Sequence, residues 1–187
     1  MRGVVSTPLY PFSHSGPVLV CGGAQCLFED IKRARSILGE VPIIAVNGAA
    51  KLVPAVAIYS KHPEKFVPRR WLEGQQFHFG KTTVHADIRA STRPSCVEYW
   101  WEGLWGGGGS AWDARKLAAF LGFSPVVLCG CPMIAGPSVG SLGFGSFMHR
   151  EDITDELYQG LAKDTEWHEG AYSMSGRSRD ILGECLR

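Results

Sequence analysis

The sequence has no excess of charge of either sign. Its 19 lysine and arginine residues against 18 aspartate and glutamate residues leave a formal net charge of +1 at pH 7. Proteins that bind nucleic acid or an anionic membrane surface usually present a basic face or stripe. We therefore expect no nucleic-acid partner.

Long hydrophobic runs are also missing. No segment approaches the roughly 20 apolar residues that a transmembrane helix needs. The N-terminus lacks the charged, apolar and small-residue zones of a signal peptide. We expect a soluble protein of the cytoplasm with no membrane span.

Motifs for metals and disulfides are scarce. None of the six cysteines forms a C-x-x-C pair. Cys129 and Cys131 are two positions apart, and no histidine pair is arranged to complete a zinc tetrahedron. No D-x-D-like motif is present. We therefore expect reduced thiols, no bound metal and no cofactor.

The first half of the chain carries the pattern of a parallel sheet. The run 17–21 has no polar alternation, which is typical of a strand buried on both faces, and it enters the glycine pair Gly22-Gly23. From Ala24 on, apolar residues recur at helical spacing, and Gly39 is placed to end that helix. The glycines could let a ligand approach the main chain, or could form a plain strand-to-helix connection.

Two further strands are predicted at 42–46 and 53–59. Asn47 follows the first of them, and Ser60, Lys61 and His62 follow the second. Because parallel strands end at one edge of a sheet, where open sheets bind ligands, we expect the polar residues at these strand ends to converge there with the glycine pair.

The glycine loop 106–109 opens onto another predicted helix, with Ser110 as its N-cap and Gly122 as its stop. A strand at 125–129 follows, ending in Gly130. Four consecutive glycines suit a flexible linker, but a linker does not normally open onto a capped helix, so we favour a loop that faces a ligand. The pattern predicts an α/β fold, a Rossmann-like three-layer sandwich with a mostly parallel central sheet.

The domain organisation follows from length and composition. With 187 residues, of which 45% are hydrophobic, one well-buried core is expected. We predict an extended N-terminal arm at 1–16 and a single Rossmann-like domain at 17–187 with a C-terminal helical segment, built on a polar-faced helix at 152–168.

The middle of the chain is harder to assign. Segments 77–84 and 96–101 are candidate strands, and three polar residues are expected on or near loops: His78, His85 and Asp87. The aromatic residues Tyr99, Trp100, Trp101 and Trp105 could stack on a base or sugar. Burial in the core or in a contact between copies in a homo-oligomer is the commoner fate of such a cluster.

The glycine- and serine-rich segment 134–150 is predicted either to cover the crevice as a mobile loop or to be disordered. His149 and Arg150 end it. Arg177 and Arg179 lie beside small polar residues near the C-terminus and could hold a phosphate or simply be solvated.

Four blocks carry a resemblance to a known family: PVLVCGGAQCLFED, IIAVNGA, YSKHPEK and GGGGSAWDARKLAAFLGFSPVVLCGCPM. Their order resembles the bacterial CMP-sialic-acid-dependent sialyltransferases and the related motility-accessory glycosyltransferase-like proteins, and is similar to that of proteins of phages and prophages. The resemblance spans about residues 17–133. A phage origin would place the protein in the host cytoplasm.

The resemblance implies a nucleotide or nucleotide-sugar partner of the CMP or UDP type. In the family, the first glycine loop and the asparagine at the second strand end hold the nucleotide, and the loop before the later helix also contacts it. Together with the expected convergence of strand ends, this predicts ten nucleotide-binding residues: Gly22, Gly23, Ala24, Gln25, Asn47, Ser60, Gly108, Gly109, Ser110 and Gly130. The family's general base is a histidine after the later strand, matched here by His149. His62 is the other candidate base, and Arg150 and Arg177 are the candidate phosphate ligands.

Two departures from the family matter for catalysis. The chain has Gln25-Cys26 where the family has a Pro-Ser pair, and it has Pro132 near the family's aspartate. The chain is also shorter than typical catalytic members. We expect metal-independent sugar transfer, and these departures keep two alternatives open: a phage or prophage module that binds a nucleotide without turning it over, and a structural or assembly protein.

Overall fold

The computed structural model describes residues 14–63, 83–87, 97–101, 109–134, 136–137, 148–149 and 151–185. The strands in these ranges are β1 (Val18–Cys21), β2 (Ile43–Val46), β3 (Ala57–Ser60), β4 (Thr83–Asp87), β5 (Tyr99–Trp101), β6 (Val126–Cys129), β7 (Gly136–Pro137), β8 (Met148–His149) and β9 (Ala171–Ser173). The helices are α1 (Leu27–Leu38), α2 (Gly109–Phe120), α3 (Glu151–Lys163) and α4 (Gly176–Leu182), with short 3₁₀ helices at Asn47–Lys51 and Thr165–Trp167.

Seven of these strands form one sheet in the order β5-β4-β3-β2-β1-β6-β9, and every pairing in it is parallel. The chain builds the sheet outward from β1 to β5, then returns to add β6 on the other side of β1. The order therefore reverses between β1 and β6, which is the topological switch point of an open α/β sheet. The predicted α/β, Rossmann-like fold is confirmed. β7 and β8 form a separate antiparallel pair.

Helices cover both faces of the sheet. α1 packs on one face, where Leu27, Ile31 and Ala34 contact alternate residues of the central strands. α2 and α3 lie on the other face, where α2 contributes more buried apolar side chains than α3 does. All four residues of β1, β2, β3 and β6 are buried, which is why these strands read as continuous apolar runs.

The third strand is shorter than the sequence predicts. β3 begins at Ala57, because the chain from Asn47 to Lys51 turns in a 3₁₀ helix and enters the sheet only after Pro54. Val53 and Ala55 are buried nonetheless, since they pack beneath α1 with Ala50. Apolar character at 53–55 thus reflects a buried loop.

α2 also differs from its prediction. Ser110 is not the N-cap: the helix already begins at Gly109, whose φ of 77° a glycine adopts without strain, so that Ser110 lies in the first turn. Gly122, with φ of 92°, follows the helix end as expected. Seven consecutive residues, 112–118, are buried, because α3 and the segment after it cover the side of α2 that faces away from the sheet.

His85 corrects another prediction. It lies inside β4 and is fully buried, rather than on or near a loop. Its Nδ1 accepts a hydrogen bond of 2.9 Å from Trp101 Nε1, and its ring stacks on Tyr99 at 5.0 Å between centroids. Tyr99, Trp100 and Trp101 form β5 at the sheet edge, where they pack against protein neighbours.

α3 ends at Lys163, five residues before the predicted end of this helix. Asp164 leaves the helical conformation, with φ of −90° and ψ of 46°, and its carboxylate accepts hydrogen bonds from Trp112 Nε1 and from Lys116 of α2. We attribute the early end of the helix to this contact between Asp164 and α2. A helical sequence pattern contains no information about such a contact, so the predicted helix was too long.

Several predictions fall outside the described residues: the arm up to residue 13, the start of both middle strands, His78, Trp105 and most of the segment 134–150. Residues 14–16 pack on the α2–β6 connection, where His14 N–H donates to Leu121 O and Gly16 O accepts from Ser124 N–H, each at 2.9 Å. In the described part of the chain, no helix has the length and apolar character to cross a membrane.

Candidate functional site

The predicted site residues that the structure describes lie mainly along one edge of the sheet. β1, β2, β3 and β6 run parallel, so the residues that follow them share what we call the carboxyl edge. Gly22, Asn47, Lys61 and Gly130 occupy that position on these four strands. α2 runs back from β5 to β6, which puts its N-terminus at the same edge.

An ion pair fixes the N-terminus of α2 there. Lys61 Nζ lies 2.8 Å from Asp113 Oδ2 in the first turns of α2. The Lys61 side chain is 12% exposed and the Asp113 side chain is fully buried. The sequence names Lys61 only as one of several polar residues past β3, and its partner lies 52 positions away, so spacing alone did not reveal the pair.

At the switch point, the loops after β1 and β6 bond directly to one another. Gly22 N–H donates to Cys129 O at 2.8 Å, and Ala24 N–H donates to Gly130 O at 3.1 Å. A Cβ on Gly22 would lie 2.6 Å from both Gly130 O and Cys131 Sγ. The glycine at position 22 is therefore required by this close approach, and the amides of Gly22 and Ala24 are already used within the protein.

Asp30 is a site residue that the sequence reasoning missed. Its carboxylate is 2% exposed, and Oδ2 accepts hydrogen bonds from Gly130 N–H at 2.8 Å and from Ser175 Oγ at 2.7 Å. Cys26 Sγ lies 3.3 Å from Ser175 Oγ. The available signal was the helical spacing, because position 30 shares the buried face of α1 with Leu27, Ile31 and Ala34.

Asn47 combines an unusual backbone with an unusual side chain. Its φ of 50° is in the left-handed region, which asparagine tolerates better than most residues. Its Oδ1 is buried, and none of the described residues donates a hydrogen bond to it. Buried polar atoms nearly always have a partner, so an unsatisfied amide oxygen at a strand end is a sign of a missing donor.

Ser60, the last residue of β3, and His62 form a compact turn at the end of the strand. Ser60 is buried, and its Oγ accepts a hydrogen bond of 3.1 Å from His62 N–H. The His62 side chain is exposed at the carboxyl edge. The position suits a group that meets a ligand from solvent.

At the start of α2, Gly109 approaches α3 closely. A Cβ there would lie 3.0 Å from a methyl group of Leu157. Ser110 is half-buried beside it. The first N–H groups of any helix lack intrahelical acceptors, and those of α2 lie at the carboxyl edge.

The other predicted site residues are less closely gathered. Gln25 is exposed, and Gly108 and Arg150 lie outside the described residues. His149 pairs with Gly136 in the β7–β8 ladder, and its side chain is not among those described. Arg177, on α4, pairs with Asp155 and lies 3.9 Å from the ring centroid of Tyr158; the Asp155 carboxylate raises the pKa of its guanidinium.

Metal ligands do not cluster in the described ranges, where no group of three or more His, Cys, Asp or Glu side chains could hold an ion. The five described cysteines are free thiols. Burial raises the pKa of the Cys26 thiol, so at neutral pH this half-buried residue beside the β1 loop is protonated and a weak nucleophile.

Comparison with solved structures supports the fold. The chain is similar to a MAf glycosyltransferase from Magnetospirillum magneticum AMB-1, with a TM-score of 0.53 and 17% sequence identity over 89% of this chain. The match covers 32% of that protein, so the chain spans about a third of its length. No protein-family model and no curated protein matches the chain. The resemblance to motility-accessory glycosyltransferase-like proteins is thus supported at the level of the fold.

Proposed function

We propose that the protein is glycosyltransferase-like and binds a nucleotide or nucleotide-sugar along the carboxyl edge, between the loop after β1 and the N-terminus of α2. The observation that carries the proposal is the buried Oδ1 of Asn47, for which the described residues provide no donor. An amino group of a cytosine base or a ribose hydroxyl would supply one. The similarity in fold to a glycosyltransferase supports the choice of ligand class.

The proposed contacts extend along the edge on both sides of Asn47. Gly23 and Gln25 would meet the ligand from the β1 loop, and Ser60 from the end of β3. Gly109 and Ser110 would offer the amides of the first turn of α2, which favour an anion, and Gly108 is the third residue proposed to contact the ligand there. Arg150 and Arg177 remain candidate phosphate ligands, although Arg177 would first have to leave Asp155.

For transfer, a base must take the proton from the acceptor hydroxyl. The hydroxyl oxygen bonds to the anomeric carbon of the sugar as the bond between that carbon and the nucleotide phosphate oxygen breaks. His149 and His62 are the candidate bases, and His62 is the one whose exposed side chain is described at the carboxyl edge. The α2 amides would offset the charge on the departing phosphate. The sequence has no D-x-D-like motif, so the mechanism we propose uses no metal.

Calorimetry with CMP, UMP and their sugar conjugates tests the binding step. We expect a micromolar Kd for one base. Asn47→Gly keeps the left-handed backbone but removes the amide, and should weaken binding by about tenfold or more, which corresponds to roughly 1.4 kcal/mol. Its free energy of unfolding should stay within about 1 kcal/mol of the parent protein.

Ser36→Ala is the matched control, because it removes a side-chain hydrogen bond on the exposed side of α1, away from the edge. Its affinity should not change. Absence of binding by every nucleotide would overturn the proposal, and an unchanged affinity in Asn47→Gly would show that the crevice is misplaced.

Release of the nucleotide from its sugar conjugate tests turnover. If His62 or His149 is the base, its replacement by alanine should slow release while sparing nucleotide binding. Unaltered release in both variants would remove both from the mechanism. Binding without any release by the parent protein would identify a binding module.

A further inference from the structure

The buried carboxylate of Asp30 occupies a place where open α/β sheets commonly bind a ligand anion. Gly130 follows β6 at the switch point, and its N–H donates to the Asp30 carboxylate in the first turns of α1. In such folds, backbone amides at this location and the positive end of the helix dipole attract phosphate. Here, the Gly130 amide is satisfied by Asp30 from within the protein.

Other groups of the switch point are used in the same way. Gly130 O accepts from Ala24 N–H, and Gly22 N–H donates to Cys129 O, so the two loops are closed against each other. Ser175, which follows β9, donates to the same Asp30 oxygen as Gly130. One carboxylate therefore joins α1, the end of β6 and the segment after β9.

Two buried serine hydroxyls hold the segment after β9 against the loop after β6. Ser178 Oγ lies 2.9 Å from Ser173 Oγ and donates to Cys131 O at 2.6 Å. Both serines are buried. The segment that presents Ser175 to Asp30 is thereby held to the loop after β6, and the carboxylate has little freedom to move away.

From this geometry we propose that Asp30 is a specificity-determining residue of the crevice, in an inference that rests on the proposed nucleotide function. Its carboxylate takes the donors that a ligand phosphate would use and repels an anion from the α1 side of the switch point. A ligand phosphate is therefore directed to the α2 side of the carboxyl edge. The first glycine loop contacts the uncharged part of the ligand.

Residue-resolved NMR of the full ¹⁵N-labelled chain tests the role of Asp30 with inorganic phosphate as the probe. In the parent protein, phosphate should leave the Gly130 amide resonance unshifted. In Asp30→Asn, which keeps the shape but removes the charge, phosphate should shift it. A shift in the parent protein, or no shift in Asp30→Asn, overturns the inference.

Two controls separate the charge of Asp30 from other effects. Glu29→Gln removes a charge from the neighbouring exposed position, and Ser175→Ala removes one hydrogen bond while the carboxylate stays. Both should behave as the parent protein does toward phosphate. A phosphate shift at Gly130 in Glu29→Gln would show that net charge, and not the buried carboxylate, excludes the anion.

Comparison of CMP with cytidine keeps the inference testable if Asp30→Asn does not fold. The shifts that depend on the CMP phosphate should appear at Ser110 and be absent at Gly130 of the parent protein. Phosphate-dependent shifts at Gly130 would overturn the inference. If neither ligand shifts any amide, the nucleotide proposal fails, whereas a shift of the Gly130 resonance by inorganic phosphate in the parent protein would overturn the inference about Asp30 by itself.

Discussion

His85 shows at the scale of a residue how burial sets a proton affinity. Its ring is fully buried in β4 and accepts the indole N–H of Trp101, which requires a neutral ring. Burial lowers the pKa of His85 from 6.5 to about 3. The unfolded chain therefore binds a proton between these pKa values that the folded protein does not bind.

The stability of the protein should accordingly fall with pH below about 6.5. By linkage, His85 leaves the free energy of unfolding unaffected above its unfolded pKa and lowers it as pH falls toward its folded pKa. Between pH 7 and pH 5, the loss from His85 should be about 2 kcal/mol. Urea unfolding at both pH values measures it.

His85→Gln is the comparison, because glutamine retains an acceptor for Trp101 and does not titrate. We expect this variant to be less stable at pH 7 but to lose about 2 kcal/mol less between the two pH values. Other histidines contribute equally to both proteins and cancel. The same pH dependence in both proteins would show that His85 does not titrate as its burial implies.

At the scale of an element, α2 owes its position to charged residues that are buried and paired. Asp113 pairs with Lys61, Lys116 pairs with Asp164, and the Arg115 guanidinium lies 5.5 Å and 5.6 Å from the ring centroids of Trp112 and Trp167. Because the sheet covers one side of α2 and α3 covers the other, its charged side chains are buried. Pairing offsets the free energy that is lost when these charges are removed from water.

Breaking the Lys61–Asp113 pair should destabilise the protein more than breaking an exposed one. Lys61→Met leaves a buried carboxylate without its ammonium partner and should lower the free energy of unfolding by about 3 kcal/mol. The double variant with Asp113→Leu should recover most of this loss. Denaturant unfolding of the single and double variants measures the coupling.

Asp155→Asn is the control for that cycle, because it removes the carboxylate of the exposed ion pair with Arg177. Its cost should be much smaller than that of Lys61→Met, because solvent screens an exposed pair. Equal costs for Lys61→Met and Asp155→Asn would mean that the buried pair contributes no more than a surface pair.

At the scale of the whole molecule, the sequence predicts those features that depend on local pattern. β1, β2 and β6 are continuous apolar runs because both faces of a central parallel strand are covered. Gly39 and Gly122 mark helix ends because glycine readily adopts the positive φ that commonly follows a helix, which is also a local property of the sequence. The edge at which the strands end then follows from the parallel arrangement alone.

Features that depend on contacts distant in sequence were not predictable in this way. Asp30 meets Ser175 from 145 positions away, and Lys61 meets Asp113 across the whole middle segment. His85 was expected on or near a loop, just after the predicted strand 77–84, but it lies inside β4 and accepts a hydrogen bond from Trp101. Such residues are polar where the local pattern expects apolar ones. Their hydrogen-bond or ion-pair partners lie far away in the sequence, and hydrophobic periodicity does not indicate them.

Hydrogen exchange distinguishes a ligand at the carboxyl edge from one elsewhere on the molecule. Strand amides exchange only on global unfolding, so any bound ligand lowers their exchange rate. Loop amides exchange by local opening, so a lower exchange rate there indicates direct contact with the ligand. Saturating nucleotide should slow exchange in 22–26, 47–51, 60–63 and 109–111. The opposite edge, 39–42, 122–125 and 168–170, should be unaffected.

In Asn47→Gly at the same nucleotide concentration, protection should fall in all four carboxyl-edge segments together, because one ligand spans them. Protection confined to the opposite edge would place the ligand site away from the strand ends.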